Sequence, residues 1–353
     1  MKQFMHAVLA AFAVTTLAPC PAQAQTYVLT DLGAVAGAPS SAADISPTGV
    51  VTGTVTINGA TIACVWTPGS GGYTFRNLGL PGGASHTIGF SVNDLAQLAA
   101  TASLTPGRNN NVENAYLWTG GAWQDLTSQK AQSEGIAINA SGLVVGMTFP
   151  SPKPVEATLW KSGKAYAIPN GAGGVAFGIN DSGQVVGFGQ PNGSGTNFVA
   201  FVWTPSVPNG TSGTTVLLPF SFAEARGINS LGDVVGVDDN VGQAFYWSHT
   251  TGAVTYMGAG VARKLNRAGQ AVGSDGQRGF LWDSLNGRRS VDSLTIVGIP
   301  PGQTWAFTCP YTQLYVAKSI AQVSINDAGQ ICGTASVTVN GITTNHAFLL
   351  MPQ

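Results

Sequence analysis

Ten residues, Gly178-Ile179-Asn180-Asp181-Ser182-Gly183-Gln184-Val185-Val186-Gly187, constrain this chain most, because related segments return along its whole length. Copies stand at Ser91-Val92-Asn93-Asp94, Ala137-Ile138-Asn139-Ala140-Ser141-Gly142, Gly227-Ile228-Asn229-Ser230-Leu231-Gly232, Lys264-Leu265-Asn266-Arg267-Ala268-Gly269 and Ser324-Ile325-Asn326-Asp327-Ala328-Gly329. A worn copy, Asp44-Ile45-Ser46-Pro47-Thr48-Gly49, opens the series. Between residues 46, 93, 139, 180, 229, 266 and 326 the intervals are 47, 46, 41, 49, 37 and 60 residues, the range of a four-stranded propeller blade. Each unit reads as an apolar run into the asparagine, a Val-Val-Gly run, an aromatic run ending in Trp, and a last strand such as Tyr73-Thr74-Phe75-Arg76-Asn77-Leu78. The third run recurs as Cys64-Val65-Trp66, Tyr116-Leu117-Trp118, Thr158-Leu159-Trp160, Phe201-Val202-Trp203, Phe245-Tyr246-Trp247, Phe280-Leu281-Trp282 and Phe348-Leu349-Leu350.

The two ends of the series are complementary. Tyr27-Val28-Leu29-Thr30-Asp31-Leu32-Gly33 matches a last strand with no first three before it, and the final copy stops after its third strand. Pairing the ends closes the ring and removes two exposed strand edges. The expected fold is therefore all-β: a seven-bladed β-propeller with four-stranded blades, its ring closed by an N-terminal strand at residues 26–33. The blades fall at 40–80, 86–128, 133–169, 174–219, 223–257, 260–296 and 318–350, with an insertion at 297–317, all in one domain spanning 25–353.

Composition agrees. Of 353 residues, 47 are Gly and 19 Pro, only 9% are charged, and the formal net charge is -1. That balance opposes a nucleic-acid partner, which needs a basic face, and opposes disorder, which needs more charge and less hydrophobicity. Residues 1–24 read as a secretory signal: Lys2 is the positive start, Ala7 to Leu17 the apolar core, and Ala22-Gln23-Ala24 a small-x-small cleavage site before Gln25. A lipoprotein signal ending at Cys20 is the weaker alternative, since Pro19 stands where a small residue is needed. The chain is expected outside the cytoplasm, secreted or periplasmic, with no membrane span. The exported part holds Cys64, Cys309 and Cys332, an odd count; a Cys309–Cys332 bond and buried free thiols both stay open.

The Gly-Ile-Asn-Asp-Ser-Gly-Gln-Val-Val-Gly segment, the Ala-Phe-x-Trp strands and the terminal His346-Ala347-Phe348-Leu349-Leu350 together resemble the HAF-type extracellular repeat of bacterial proteins. The resemblance covers nearly all of the exported chain. It implies an exported bacterial repeat protein, propeller-like, from a family that carries no established activity. The second copy, with Leu95-Ala96-Gln97-Leu98-Ala99 in place of the glycines, and the first, with Ser46-Pro47, depart most.

Asn-Asp-Ser-Gly is foremost a tight hairpin, the asparagine capping the turn and the glycine taking its left-handed position; a ring of ligand-binding amides is the sharper reading. Asn58-Gly59, Asn192-Gly193, Asp275-Gly276 and Asn340-Gly341 are further turn signals. Six of eight tryptophans sit at the third-strand position, where they fill space between blades instead of forming a sugar-binding array. On the inner strand, residues one and three before the asparagine are bulky and the residue two before is small. Simple alternation places these sets on opposite faces.

The fifth and sixth blades break that rule. Arg226, Arg263 and Lys264 occupy inner-strand positions that are apolar or small elsewhere, and Asp238 and Asp275 stand two residues after the second-strand glycine of the same blades. Loops after the second and fourth strands open on one face, so these groups and Glu224 are expected to converge there, foremost as a structural ion-pair network, next as a ligand-binding mouth, and last as a metal or catalytic site. The insertion adds Trp305, Phe307, Tyr311 and Tyr315, as an exposed aromatic cluster or as a local cap. The ligand-binding candidates are thus Glu224, Arg226, Asp238, Arg263, Lys264, Asp275, Trp305 and Tyr311. No metal pattern, phosphate loop or nucleophile elbow occurs, and His86, His249 and His346 fall at unrelated blade positions, so no catalytic residue, metal or cofactor is assigned. The expected function is an exported binding module, monomeric, with an extracellular glycan, peptide or protein as ligand. A propeller hydrolase or lyase acting on extracellular glycan is the alternative, and a structural envelope protein a third reading.

Overall fold

The computed structural model describes residues 25–33, 37–104, 112–127, 132–150, 152–170, 173–190, 198–307, 309 and 323–353. The leader-like segment, the turn at 108–111, Asn192-Gly193, Tyr311 and Tyr315 lie outside these residues. Among the described residues, seven antiparallel blades follow one another, and the inner strands of all seven meet at a central axis. Blade five is representative: Ala223–Ile228 innermost, then Val234–Asp238, Gln243–Trp247 and Val254–Ala259. The third-strand tryptophans do fill the space between blades, with Trp66 and Trp203 each 1% exposed.

The ring closes as the chain ends implied. Thr26–Asp31 pairs antiparallel with Ile342–Pro352, from Tyr27 opposite Pro352 to Asp31 opposite Phe348. Two short strands of the insertion region join the same sheet. Thr295–Val297 runs parallel beside Thr26–Asp31, and Gln303–Ala306 pairs with the far half of Ile331–Val339. The closing strand is therefore held on both edges.

Every inner strand except the two-residue Ser324–Ile325 carries a bulge. Register slips at Ala42/Asp44, Gly89/Ser91, Gly135/Ala137, Ala176/Gly178, Ala225/Gly227 and Ala262/Lys264, so that the residue three before the asparagine is unpaired. A bulge sets two successive residues against one on the neighbouring strand and re-aims their side chains. Simple alternation is thereby corrected: the residues three and two before the asparagine both line the axial cavity. The bulge also explains the glycine of Val-Val-Gly. A Cβ on Gly53, Gly146, Gly187 or Gly236 would meet an inner-strand carbonyl oxygen at 1.8 or 1.9 Å, so no side chain fits there.

The asparagines form a belt. Each accepts through Oδ1 from a backbone N–H of its own hairpin, as Asn180 does from Gln184 at 2.9 Å. Through Nδ2 each donates to a carbonyl on the next blade: Asn93 to Asn139, Asn139 to Asn180, Asn180 to Asn229, Asn229 to Asn266, Asn266 to Asn326, and Asn326 to Ser46. The single gap in this belt follows Ser46, where the Thr48 N–H and hydroxyl donate instead to Asp94. Asp181 and Asp327 accept from the preceding blade in the same way, from the N–H groups of Ala140 and Arg267. Asn thus ties each hairpin forward and Asp ties it back, which explains the pair. With both ends of the amide engaged, the asparagines serve the scaffold, not a ligand.

Candidate functional site

The axial cavity lies toward the face on which the fourth-to-first-strand loops enter, and has a volume of about 130 Å³. Its wall is divided. Phe90, Ile136 and Phe177 from blades two to four make one apolar side, and Arg226, Arg263 and Lys264 from blades five and six make a cationic side. Asp44 of blade one is the single carboxylate in the wall. Toward the opposite face lies a second space that shares Ile138, Ile179 and Ile228 with the first and is lined by Asn93, Asn139, Asn180, Asn229 and Asn326.

Asp44 organises the floor of this cavity. Its side chain is 6% exposed and ion-pairs with Lys264. The hydroxyls of Ser91 and Ser324 donate to it at 2.7 Å each, and the Val92 N–H donates at 3.3 Å. One carboxylate thus links four blades, and a buried carboxylate with this many donors is well compensated. Arg226 ion-pairs with Glu224, and its guanidinium lies over the Phe177 ring at 3.8 Å. The stacked plane and the ion pair fix the orientation of the remaining donors. The Nε of Arg226 is buried without a hydrogen-bond partner.

Above Arg226 stands a carboxylate group that the sequence reading only half contained. Asp238 accepts from the Tyr256 hydroxyl at 2.6 Å and from the Asn240 N–H at 3.1 Å. Burial, reinforced by the charge of Glu224 and opposed by Arg226, pushes the Asp239 carboxyl up to about 6.

The eight candidates therefore separate. Arg226, Arg263 and Lys264 share the cavity, and Glu224 and Asp238 lie at the blade-five edge beside it. Asp275 is elsewhere: it caps its own turn from the N–H groups of Gln277 and Arg278 and pairs with Arg288 at 3.6 Å. Burial would raise its carboxyl, but those N–H donors and Arg288 bring it below the usual range. Trp305 is not an exposed rim aromatic. It is 9% exposed, packs edge-on against His346 and shares a core cluster with Phe307, so this part of the insertion caps the seventh blade. Tyr311 lies outside the described residues. Cys64, Cys309 and Cys332 are buried thiols, none of them in a disulfide, and burial raises all three.

Asp44 and its serines were missed, although a signal existed. Asp44 stands two before Ser46, the register position of Lys264 before Asn266, and these two positions alone among the seven carry a charge. Among the described residues no group of three or more His, Cys, Asp and Glu side chains is placed to hold a metal ion, and no helix is long and apolar enough to cross a membrane.

No family model matches the sequence, and no curated protein matches it. Solved structures do. A streptogramin B lyase is 11% identical over 93% of this chain and 98% of its own, with a TM-score of 0.50. The oligogalacturonate lyase of Vibrio parahaemolyticus is 9% identical over 92% and 93%, with a TM-score of 0.51. Virginiamycin B lyase from Staphylococcus aureus is 11% identical over 92% and 99%, with a TM-score of 0.51. At such identities the likeness establishes the seven-bladed β-propeller fold and nothing of the chemistry.

Proposed function

We propose that this protein is an exported binding module that engages an extracellular glycan, peptide or protein through the face where the axial cavity opens. The observation that carries this reading is the divided wall of the cavity, where fixed guanidinium and ammonium groups face aromatic and aliphatic side chains. Convergent polar groups in an otherwise apolar concavity are the usual makings of a ligand site. The resemblance to exported repeats and the leader-like residues 1–24 support the location.

One observation favours a second reading. Asp239, raised to about 6, stands near the carboxylate of Glu224, and a carboxyl tuned toward neutrality suits a general acid or base. The name of the matched oligogalacturonate lyase makes an acidic oligosaccharide the first substrate to try.

Intact-mass analysis of the secreted or periplasmic fraction tests export; the expected mature chain begins at Gln25. Titration calorimetry of that chain against defined glycans and peptides, with product analysis of the same mixtures, separates the two functions. Saturable binding without new products supports the module. Turnover that Asp239→Asn abolishes establishes the enzyme instead.

A further inference from the structure

We propose that Asn58 and Asn340 are sites of spontaneous deamidation, which sets new carboxylates on the face where the axial cavity opens. This goes beyond the binding-module reading and does not rest on it.

Asn-Gly occurs six times, beginning at Asn58, Asn170, Asn192, Asn209, Asn286 and Asn340. Each occurrence sets a side-chain amide beside an unhindered backbone nitrogen. The glycine nitrogen gives its proton to solvent base and attacks Cγ of the asparagine. The new N–Cγ bond closes a five-membered imide, the Cγ–Nδ2 bond breaks, and Nδ2 leaves as ammonia after taking a proton from solvent. Hydroxide then adds to either imide carbonyl, the carbon–nitrogen bond breaks, and the ring nitrogen takes a proton. The product is an aspartyl residue, or an isoaspartyl residue whose backbone runs through Cβ and Cγ. Water is the sole co-reactant, and nothing is oxidised or reduced.

The six dipeptides share this chemistry, and the fold separates them. Asn58-Gly59 and Asn340-Gly341 are the central pairs of two-residue hairpins, closed by Ile57 opposite Ala60 and by Val339 opposite Ile342. Their φ values are 51° and 77° in the first turn and 50° and 80° in the second, the type I′ pattern that suits asparagine and glycine. All four residues are exposed. Among the described residues, no hydrogen bond reaches either side-chain amide or either glycine N–H. Both reacting groups are free, and only the turn itself must flex to bring the nitrogen onto Cγ. Asn209-Gly210 is the opposite case. Asn209 Oδ1 accepts from Asn139 Nδ2 at 2.8 Å, and its Nδ2 donates to the Ser141 hydroxyl and the Asp181 carbonyl at 3.0 Å each. The Gly210 N–H donates to the Val207 carbonyl at 2.8 Å, and Gly210 is buried. Cyclisation there first requires a local opening that breaks these bonds, which slows it on the order of a hundredfold. Asn170 and Asn286 are held by one side-chain bond each from Nδ2, to the Phe188 carbonyl and to Asp283. Asn192-Gly193 lies outside the described residues.

The two free turns share a place as well as a shape. Each joins the second and third strands of its blade, Val51–Ile57 to Ala60–Gly69 and Ile331–Val339 to Ile342–Pro352, so both stand on the cavity face. Their blades, one and seven, pack together where the ring closes. Each event exchanges a neutral amide for a carboxylate. The isoaspartyl product also lengthens the backbone inside a turn that has room for two residues only. Pairs below the tip, Val55 opposite Ile62 and Val337 opposite Thr344, do not depend on that turn. The result is a negative charge that accumulates with time on an intact propeller.

The experiment holds the mature protein in mildly alkaline buffer, once folded and once in urea, and follows each asparagine by digestion and peptide mass spectrometry. Isoaspartyl methyltransferase labelling identifies the rearranged product. In the folded protein Asn58 and Asn340 should convert first, partly to isoaspartate, with Asn209 slower on the order of a hundredfold and the circular dichroism unchanged. In urea the three rates should converge. Conversion of Asn58 and Asn340 no faster than that of Asn209 in the folded protein overturns the proposal. So does an order that persists in urea, because flanking sequence and not the fold would then set it. The double variant Asn58→Gln, Asn340→Gln should lose the early mass gain; an early gain that survives in it places the reaction elsewhere and also overturns the proposal.

Discussion

Removing one amide from the asparagine belt is the sharpest test of how the ring is held. Asn180 is 6% exposed and makes four hydrogen bonds. Its Oδ1 accepts from the Gln184 N–H at 2.9 Å and the Ser182 hydroxyl at 2.8 Å; its Nδ2 donates to the Asn229 carbonyl at 3.0 Å and to Gln184 Oε1 at 2.8 Å. In Asn180→Ala the side chains of Ser182 and Gln184 turn to water, and the Asn229 carbonyl keeps the Gly232 N–H. What remains uncompensated is the Gln184 N–H and the tie between blades four and five. At roughly 1 to 2 kcal/mol for the orphaned donor and about 1 for the lost tie, the cost is about 2 to 3 kcal/mol. Chemical denaturation of the mature protein measures it, with Ser182→Ala as a control expected to stay within about 0.5 kcal/mol. Asn180→Asp adds a pH signature. Ionised, it sets a second carboxylate oxygen against the Asn229 carbonyl, so its folded pKa must lie above the unfolded value of about 3.9. Below that value the neutral acid can still donate to the carbonyl; as pH rises the unfolded chain ionises first and stability falls. Asn180→Asp should therefore be more stable than Asn180→Ala at pH 4 and no more stable at pH 8. An Asn180→Ala protein indistinguishable from wild type would refute the belt as a source of stability.

Three further outcomes follow from particular residues. Ala96 takes the turn position that glycine fills in the other blades, at a φ of 53°, so Ala96→Gly should raise the denaturation midpoint by about 1 kcal/mol equivalent; a loss would contradict the strain. Because the folded Asp239 carboxyl titrates near 6 and the unfolded one near 3.9, its charge opposes folding increasingly as pH rises through that window and not below it. Asp239→Asn should then gain about 1 kcal/mol at pH 8, after discounting for partial exposure, and nothing at pH 4; equal effects at both values would dismiss the shift. Tyr27 is fully buried in the closing strand, so Tyr27→Ala should cost about 3 to 4 kcal/mol and speed hydrogen exchange along Ile342–Pro352; protection unchanged there would mean that the ring does not depend on its N-terminal strand.

The blades and their closure were legible because each rests on a local rule that recurs: a turn every four strands, a tryptophan on the third, and a last strand displaced to the N-terminus. The seventh sheet was legible only in part, since Thr295–Val297 and Gln303–Ala306 are short strands with no repeat to announce them. Trp305 could not be placed from its neighbours in sequence, because its burial comes from His346 and the core of blade seven, some forty residues on.

The axial site was half legible, and the missing half has one cause. Under strict alternation Arg263 and Lys264, consecutive on one strand, would point to opposite faces, and only one of them could reach the axis. The slip between Ala262 and Lys264 places both in the cavity wall. The sequence does carry a mark of that slip. A glycine recurring in the middle of the second strand is otherwise unfavourable there, and Gly273 opposite Ala262 has no room for a Cβ because the Val261 carbonyl oxygen would lie 2.1 Å away. Taken as the footprint of a bulge, Val-Val-Gly predicts two axis-facing residues per blade instead of one. Asp44 and Lys264 then fall on the same inner ring, and the partly buried ion pair across blades one and six becomes a consequence of the repeat itself.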